Sequence, residues 1–168
     1  MTSVRTALER FRKNPSAKHP DNPLRLISSV SGAALAGEVA AAWGTDAQEA
    51  RALWAESREA RLFVDADFGQ WGLVLVDPQS SAERTAKERA ARPIEFRDED
   101  VVVGVFLGDQ ELLVIAPSER GPRRVLVALP LDSRSAWFGA ASELGEFLER
   151  YFDAGGNKFW ERIGVSIG

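Results

Sequence analysis

The sequence predicts an α+β domain in which helices pack against a central mixed, largely antiparallel sheet of four to six strands. The strongest strand signal is a pair of apolar runs, 101–107 and 111–116, that flank a turn at Gly108-Asp109 and indicate a hairpin. The predicted strands follow one another through short turns, which favours antiparallel pairing. The clearest helix comes last, because apolar side chains recur there at i, i+3, i+4, i+7 and i+8: Leu144, Phe147, Leu148, Tyr151 and Phe152.

The first 23 residues differ in composition from the rest of the chain. Val4, Leu8 and Phe11 have the spacing of a short amphipathic helix, and the three prolines of residues 15–23 are typical of a linker. We therefore expect residues 1–23 to form a basic, Pro-containing N-terminal extension. A basic segment of this kind can contact membrane or nucleic acid or be a frayed extension, and we expect the last. The α+β domain is assigned residues 24–168.

The remaining elements follow from spacing and turn residues. A possible capping box begins at Thr45, and Ser80 offers another. The helix predicted over residues 81–91 lacks large apolar side chains and is expected at the surface. The predicted elements besides the hairpin and the last helix are helices over 35–43, 47–54 and 81–91 and strands at 62–64, 71–76 and 124–129.

Composition limits the classes of protein to which the chain can belong. Its 168 residues suffice for one domain with a buried core, and 45% of them are apolar. Cysteine is absent, which excludes disulfides and thiolate chemistry and suits a reducing compartment. No apolar run is long enough for a membrane span, and no secretory signal is visible. We expect a cytoplasmic protein, a monomer or weak dimer, with no membrane association.

Charge is distributed unevenly. Residues 1–23 carry five basic and two acidic side chains, so that the formal charge of −4 for the whole chain leaves −7 for the remainder. An acidic domain repels phosphate backbones, and we expect no nucleic-acid partner. It attracts basic proteins and speeds their encounter, although mild acidity is also common for solubility alone.

Catalytic motifs are largely missing. The single histidine, His19, lies between Lys18 and Pro20 in the expected linker, a poor position for a general base or metal ligand. No glycine-rich phosphate loop and no Gly-x-Ser-x-Gly turn occurs. We therefore expect no cofactor, no metal and no catalytic residue.

Carboxylates at the predicted strand ends are the only chemical groups that recur. They fall at Asp65 and Asp67, at residues 98–100, and at Asp109 and Glu111. Four interpretations remain open: acid–base catalysis, a hard cation, an acidic face for a basic partner, or aspartates that bind turn backbone. An exposed tryptophan beside such a face would favour the third, since aromatic residues are enriched at interfaces.

An ordered set of short strings resembles the SUKH superfamily, which includes bacterial immunity proteins and fungal cell-wall regulators. The likeness covers roughly residues 35–161, and residues 1–23 have no obvious counterpart. The strings are Leu53-Trp54, Leu62-Phe63-Val64-Asp65, Gly69-Gln70-Trp71-Gly72-Leu73, Phe106-Leu107-Gly108-Asp109, Leu112-Leu113, Leu129-Pro130-Leu131, Glu146-Phe147-Leu148 and Lys158-Phe159-Trp160-Glu161.

The resemblance implies an α+β fold, no catalysis, and an antidote that binds a cognate toxin, often a nuclease. A toxin-free interaction adaptor is the first alternative, and a carboxylate-based hydrolase is the second. A ligand bound between sheet and helices stays open as well. The expected partner-binding residues are Asp65, Asp67, Gln70, Trp71, Asp98, Glu99, Asp100 and Asp109.

Overall fold

A computed structural model of the chain describes residues 2–18 and 24–163. His19 lies outside the described residues. The helices are α1 (Val4–Lys13), α2 (Ala36–Trp43), α3 (Gln48–Trp54), α4 (Pro78–Ala91), α5 (Leu144–Asp153) and α6 (Phe159–Ile163), with a 3₁₀ turn at Arg134–Ala136. The strands are β1 (Ser16–Lys18), β2 (Arg25–Val30), β3 (Ala60–Asp65), β4 (Leu73–Leu75), β5 (Val101–Phe106), β6 (Leu112–Ile115), β7 (Val125–Ala128) and β8 (Phe138–Ala141).

The predicted α+β class is confirmed, but the sheet is larger and more regular than expected. Its eight strands lie in chain order, and every neighbouring pair is antiparallel. The expected count of four to six omitted β1, β2 and β8. These strands carry serine, glycine and alanine where a strand pattern normally shows large β-branched side chains.

Both faces of the sheet are covered in its second half. Successive side chains of a strand point to opposite faces, and in β6 they enter two different cores. From β6, Leu113 and Ile115 join a large core that also receives α1, α3 and α5. Leu112 and Val114 join a smaller core. The smaller core is closed by Phe96 and Trp137, whose ring centroids lie 5.0 Å apart.

Helix α1 corrects the expectation of a frayed extension. Its Ala7, Leu8 and Phe11 are fully buried in the large core, and the ring of Phe11 lies 5.1 Å from that of Phe63. Strand β1 pairs with β2 and begins the sheet. The apolar stripe was correctly identified in the sequence, but its burial depends on tertiary contacts with β2 and with α5, near the other end of the described chain.

Two predicted capping boxes are absent. Helix α3 begins after Ala47, whose φ is +60° and which makes no capping hydrogen bond through its side chain. Helix α4 begins earlier than expected, with Asp77 as N-cap and Pro78 at its first turn. Two hydroxyls fix α4 on β5. The Ser81 hydroxyl donates to the carbonyl of Val102, and the Thr85 hydroxyl accepts from the N–H of Val102.

Because neighbouring strands run in opposite directions, the loops that connect them lie alternately at the two ends of the sheet. The Asp109 end comprises residues 65–72 and 107–111, as the pairing of Leu62 with Leu73 and of Val105 with Leu112 requires. The Asp98 end comprises residues 97–100 and 117–124, beyond the pairing of Val101 with Ile115.

Candidate functional site

The structure separates the eight predicted partner-binding residues into two groups at opposite ends of the sheet. The sequence offered no reason to separate them, since all of them lie in or beside turns at strand ends. The Asp109 end holds Asp65, Asp67, Gln70, Trp71 and Asp109, and the Asp98 end holds Asp98, Glu99 and Asp100.

Asp65 is not part of an exposed face. Its carboxylate is buried and accepts hydrogen bonds from the backbone N–H groups of Asp67, at 3.0 Å, and Gln70, at 3.4 Å. A short carboxylate side chain satisfies turn donors well. Asp65 therefore shapes the β3–β4 loop, and its assignment to partner contact is wrong.

Trp71 anchors the same loop to the segment that follows α5. Its indole Nε1–H donates to the carbonyl of Gly156 at 3.0 Å, and the ammonium group of Lys158 lies 5.5 Å from a ring centroid. The loop also touches the β5–β6 turn closely. A Cβ added to Gly108, whose φ is +94°, would lie 2.5 Å from the carbonyl oxygen of Gln70.

The remaining acids of the Asp109 end are paired within the protein. Asp109 and the buried Glu111 both bind Lys158. Burial alone would lower the pKa of Lys158, but the hydrogen bonds from these carboxylates outweigh it and raise that pKa above its ordinary value. Asp67 lies 3.1 Å from Arg25 in an exposed pair. Asp67, Asp109 and Glu111 therefore each have a cationic partner, and Lys158 is shared by two of them.

Asp100, at the other end, is also an internal residue. Its carboxylate has no exposure to solvent and binds the guanidinium of Arg134 at 2.5 Å. Arg134 also binds Glu119 at 2.9 Å. Burial would lower the pKa of Arg134, but these hydrogen bonds raise it. The expectation that Asp100 contacts a partner is corrected, because a fully buried carboxylate cannot reach one.

Asp98 and Glu99 remain exposed, on a segment whose backbone is firmly held. The guanidinium of Arg89 donates to the carbonyl oxygens of Arg97, Asp98 and Asp100. These bonds use only the backbone of the segment. Asp98 and Glu99 are exposed, and neither carboxylate forms an ion pair among the described residues.

These two carboxylates form one rim of a groove of about 390 Å³. The start of α3 forms the other rim, where Asp46 and Glu49 are exposed. We name this cavity the acidic groove. Its lining residues are Trp43, Thr45, Asp46, Ala47, Gln48, Glu49, Ala50, Arg89, Asp98, Glu99, Val101, Ile115 and Pro117.

The acidic groove combines an apolar floor with charged rims. Val101 and Ile115 are buried beneath it, and Trp43 forms a fixed wall, because its Nε1–H donates to the carbonyl of Pro78 at 3.1 Å. Four carboxylates and one guanidinium, that of Arg89, line the groove. None of the four forms an ion pair with a residue that the structure describes.

The sequence missed half of this groove. Asp46 and Glu49 lie in the capping box and the helix predicted from Thr45 to residue 54, and Trp43 lies at the end of the helix predicted over 35–43. Their acidic and aromatic character was visible, but their proximity to Asp98 was not. The contact arises because α2 and α4 pack together and α4 continues toward residues 97–100.

Across the described residues, no group of three or more histidine, cysteine, aspartate or glutamate side chains is placed to hold a metal ion. Within the same residues, no helix has both the length and the apolar character that crossing a bilayer requires. Comparison of the chain with protein-family models and with curated proteins finds no significant match.

Proposed function

We propose that this protein is a non-catalytic binding domain that captures a basic protein partner in its acidic groove. The observation that carries the proposal is the set of four exposed carboxylates around that groove, opposed by one guanidinium whose donors bind backbone carbonyls. Complementary charge steers a partner to such a surface and penalises acidic competitors.

The groove is suited to binding without rearrangement. Trp43 is held by its bond to Pro78 and stacks on Trp54 with ring centroids 6.3 Å apart. Arg89 fixes the opposite rim. A preformed site loses less conformational entropy on binding than a mobile one, and aromatic walls of this kind often dominate binding energy.

Together with the resemblance to the SUKH superfamily, this site supports an immunity-type function in the cytoplasm. The partner is then a cognate toxin with a basic surface, such as a nuclease, since enzymes that act on nucleic acid bind phosphates with lysine and arginine. Occupation of that surface by the acidic groove blocks the toxin. A toxin-free adaptor would use the same groove for a basic partner that is not toxic.

Coexpression with the product of the neighbouring gene tests the proposal. We expect restored growth and a complex that survives gel filtration. The double variant Asp98→Lys/Glu99→Lys should weaken that complex at least tenfold and abolish protection, with the larger loss at low salt. Binding to a neighbour that is not toxic would support the adaptor and overturn the immunity function.

Asp132→Lys supplies the matched control. Asp132 is exposed, lies in the β7–β8 connection, and uses only its backbone carbonyl in hydrogen bonds, to Arg92 and Trp137. The control changes charge by the same amount per site and should leave binding intact. A toxin that still kills, with no complex in gel filtration, would contradict the proposal, and so would a complex equally weakened by the control.

A further inference from the structure

A second concavity of about 560 Å³ adjoins the acidic groove. The two share Glu49 and Ile115 as lining residues and therefore adjoin at the Asp98 end. We call the two concavities together the channel. The second concavity is bounded by the start of α1, the start of α5 and the β6–β7 turn. Its lining residues are Thr2, Ser3, Val4, Glu49, Ala52, Ile115, Pro122, Arg124, Ser142, Glu143, Leu144 and Gly145.

The two halves of the channel differ in chemistry. The acidic groove carries four carboxylates and one guanidinium, whereas the second concavity carries Glu49, Glu143 and Arg124 around a mainly apolar surface. That surface comes from Val4, Ala52, Ile115, Pro122 and Leu144. One half therefore favours cationic side chains, and the other favours aliphatic ones.

The walls of the second concavity are fixed by close packing. A Cβ added to Gly145 would overlap the carbonyl of Thr2, so the first turn of α5 lies directly against the start of α1. The carboxylate of Glu146 accepts from the N–H of Ser142 at 2.9 Å and holds the entry to α5. The channel is thus present before a partner arrives, which lowers the entropy cost of binding.

We infer that the channel binds an extended segment of the partner, with basic residues in the acidic groove and aliphatic residues in the second concavity. The inference rests on the proposed function and specifies the binding element. An extended strand rises about 3.3 Å per residue and places successive side chains on alternate sides. A segment of five or six residues spans about 16–20 Å, and its backbone is narrower than a helix, which is about 10–12 Å wide with its side chains.

Short peptides test the inference on the intact protein. The probes are two acetylated and amidated peptides, Lys-Arg-Gly-Val-Leu-Val and its reverse sequence, because the direction of the segment is open. The reference probe replaces the three aliphatic residues by glycine. By isothermal titration calorimetry we expect one of the two probes to bind at least tenfold more tightly than the reference.

Two variants assign that affinity to the two halves. Glu49→Lys, at the shared wall, should weaken the favoured probe at least tenfold. Ala52→Phe fills the second concavity without changing charge and should reduce the favoured probe to the affinity of the reference. Ala86→Phe, at an exposed alanine of α4, is the matched control and should have no effect.

The outcomes separate this inference from the proposed function. If neither probe exceeds the reference, or if Ala52→Phe has no effect, the extended-segment inference is wrong. Loss of the full partner complex in Asp98→Lys/Glu99→Lys would still support the proposed function in that case. If that complex is also insensitive to the double variant, both are overturned.

Discussion

Replacement of Arg134 by methionine should destabilise the fold strongly, because it leaves a buried carboxylate without its cation. Asp100 has no solvent exposure, and the Arg134 side chain is about nine-tenths buried. Loss of one partner from a buried ion pair costs about 3–5 kcal/mol of unfolding free energy. With a urea slope of about 2 kcal/mol per molar, the unfolding midpoint should fall by about 1.5–2.5 M.

The double variant Asp100→Asn/Arg134→Met separates the cost of the uncompensated charge from the cost of lost packing. Asparagine keeps an oxygen for the N–H of Arg97, which now donates to Asp100 at 2.8 Å, and it carries no charge. Glu119 retains Arg97 as an ionic partner at 3.1 Å. We therefore expect the double variant to be more stable than Arg134→Met alone, by about 2 kcal/mol.

Urea unfolding followed by tryptophan fluorescence measures both variants, since Trp137 lies 5.2 Å from the guanidinium of Arg134. Arg120→Met is the control, because Arg120 is exposed and its midpoint should hardly change. The electrostatic explanation fails if Arg134→Met costs less than about 1 kcal/mol, or if the double variant is no more stable than the single one.

Two further predictions concern the turn at Gly108 and the cap of α4. Gly108→Ala forces a Cβ into the carbonyl of Gln70 at a φ of +94°, and the free energy of unfolding should fall by about 1–3 kcal/mol or more in thermal unfolding. Gly121→Ala is the control, because Gly121 has open space around it and no positive φ, and its stability should not change. Asp77→Ala removes an N-cap and should cost about 1 kcal/mol near neutral pH. Burial would raise the pKa of Asp77, but hydrogen bonds from Ser80 lower it overall, so the stability gap between wild type and variant should persist above the ordinary aspartate pKa. That gap should close as pH falls through the lowered pKa, and a gap that stays constant down to strongly acidic pH would contradict the assignment.

The parts of the fold that the sequence predicted well are those in which local pattern and tertiary environment agree. The β5–β6 hairpin has apolar strands on both sides of a turn whose glycine adopts a positive φ. Helix α5 buries the face that its spacing indicates. Strand β8 lacks such a pattern, since its sequence is Phe-Gly-Ala-Ala and its pairing with β7 determines its conformation.

The candidate site was only partly predictable, for a physical reason visible at residues 98–100. Three consecutive acidic residues have similar chemistry in the sequence, yet Asp100 is buried while Asp98 and Glu99 are exposed. The difference comes from Arg134, which lies 34 residues further along the chain and reaches the third carboxylate only. Local spacing carries no information about which acid such a distant cation will neutralise.

The distribution of cations therefore distinguishes the two ends of the sheet more clearly than the distribution of acids. At the Asp109 end, Lys158 binds both Asp109 and Glu111, and Arg25 pairs with Asp67. At the Asp98 end, the one guanidinium of the groove is bonded to backbone and leaves the rim carboxylates unpaired among the described residues. Because a paired charge attracts an approaching ion less strongly than an unpaired one, we expect the proposed basic partner at the acidic groove and not at the Asp109 end. The same aspartates that looked equivalent in sequence thus divide into those that stabilise loops and those available for binding.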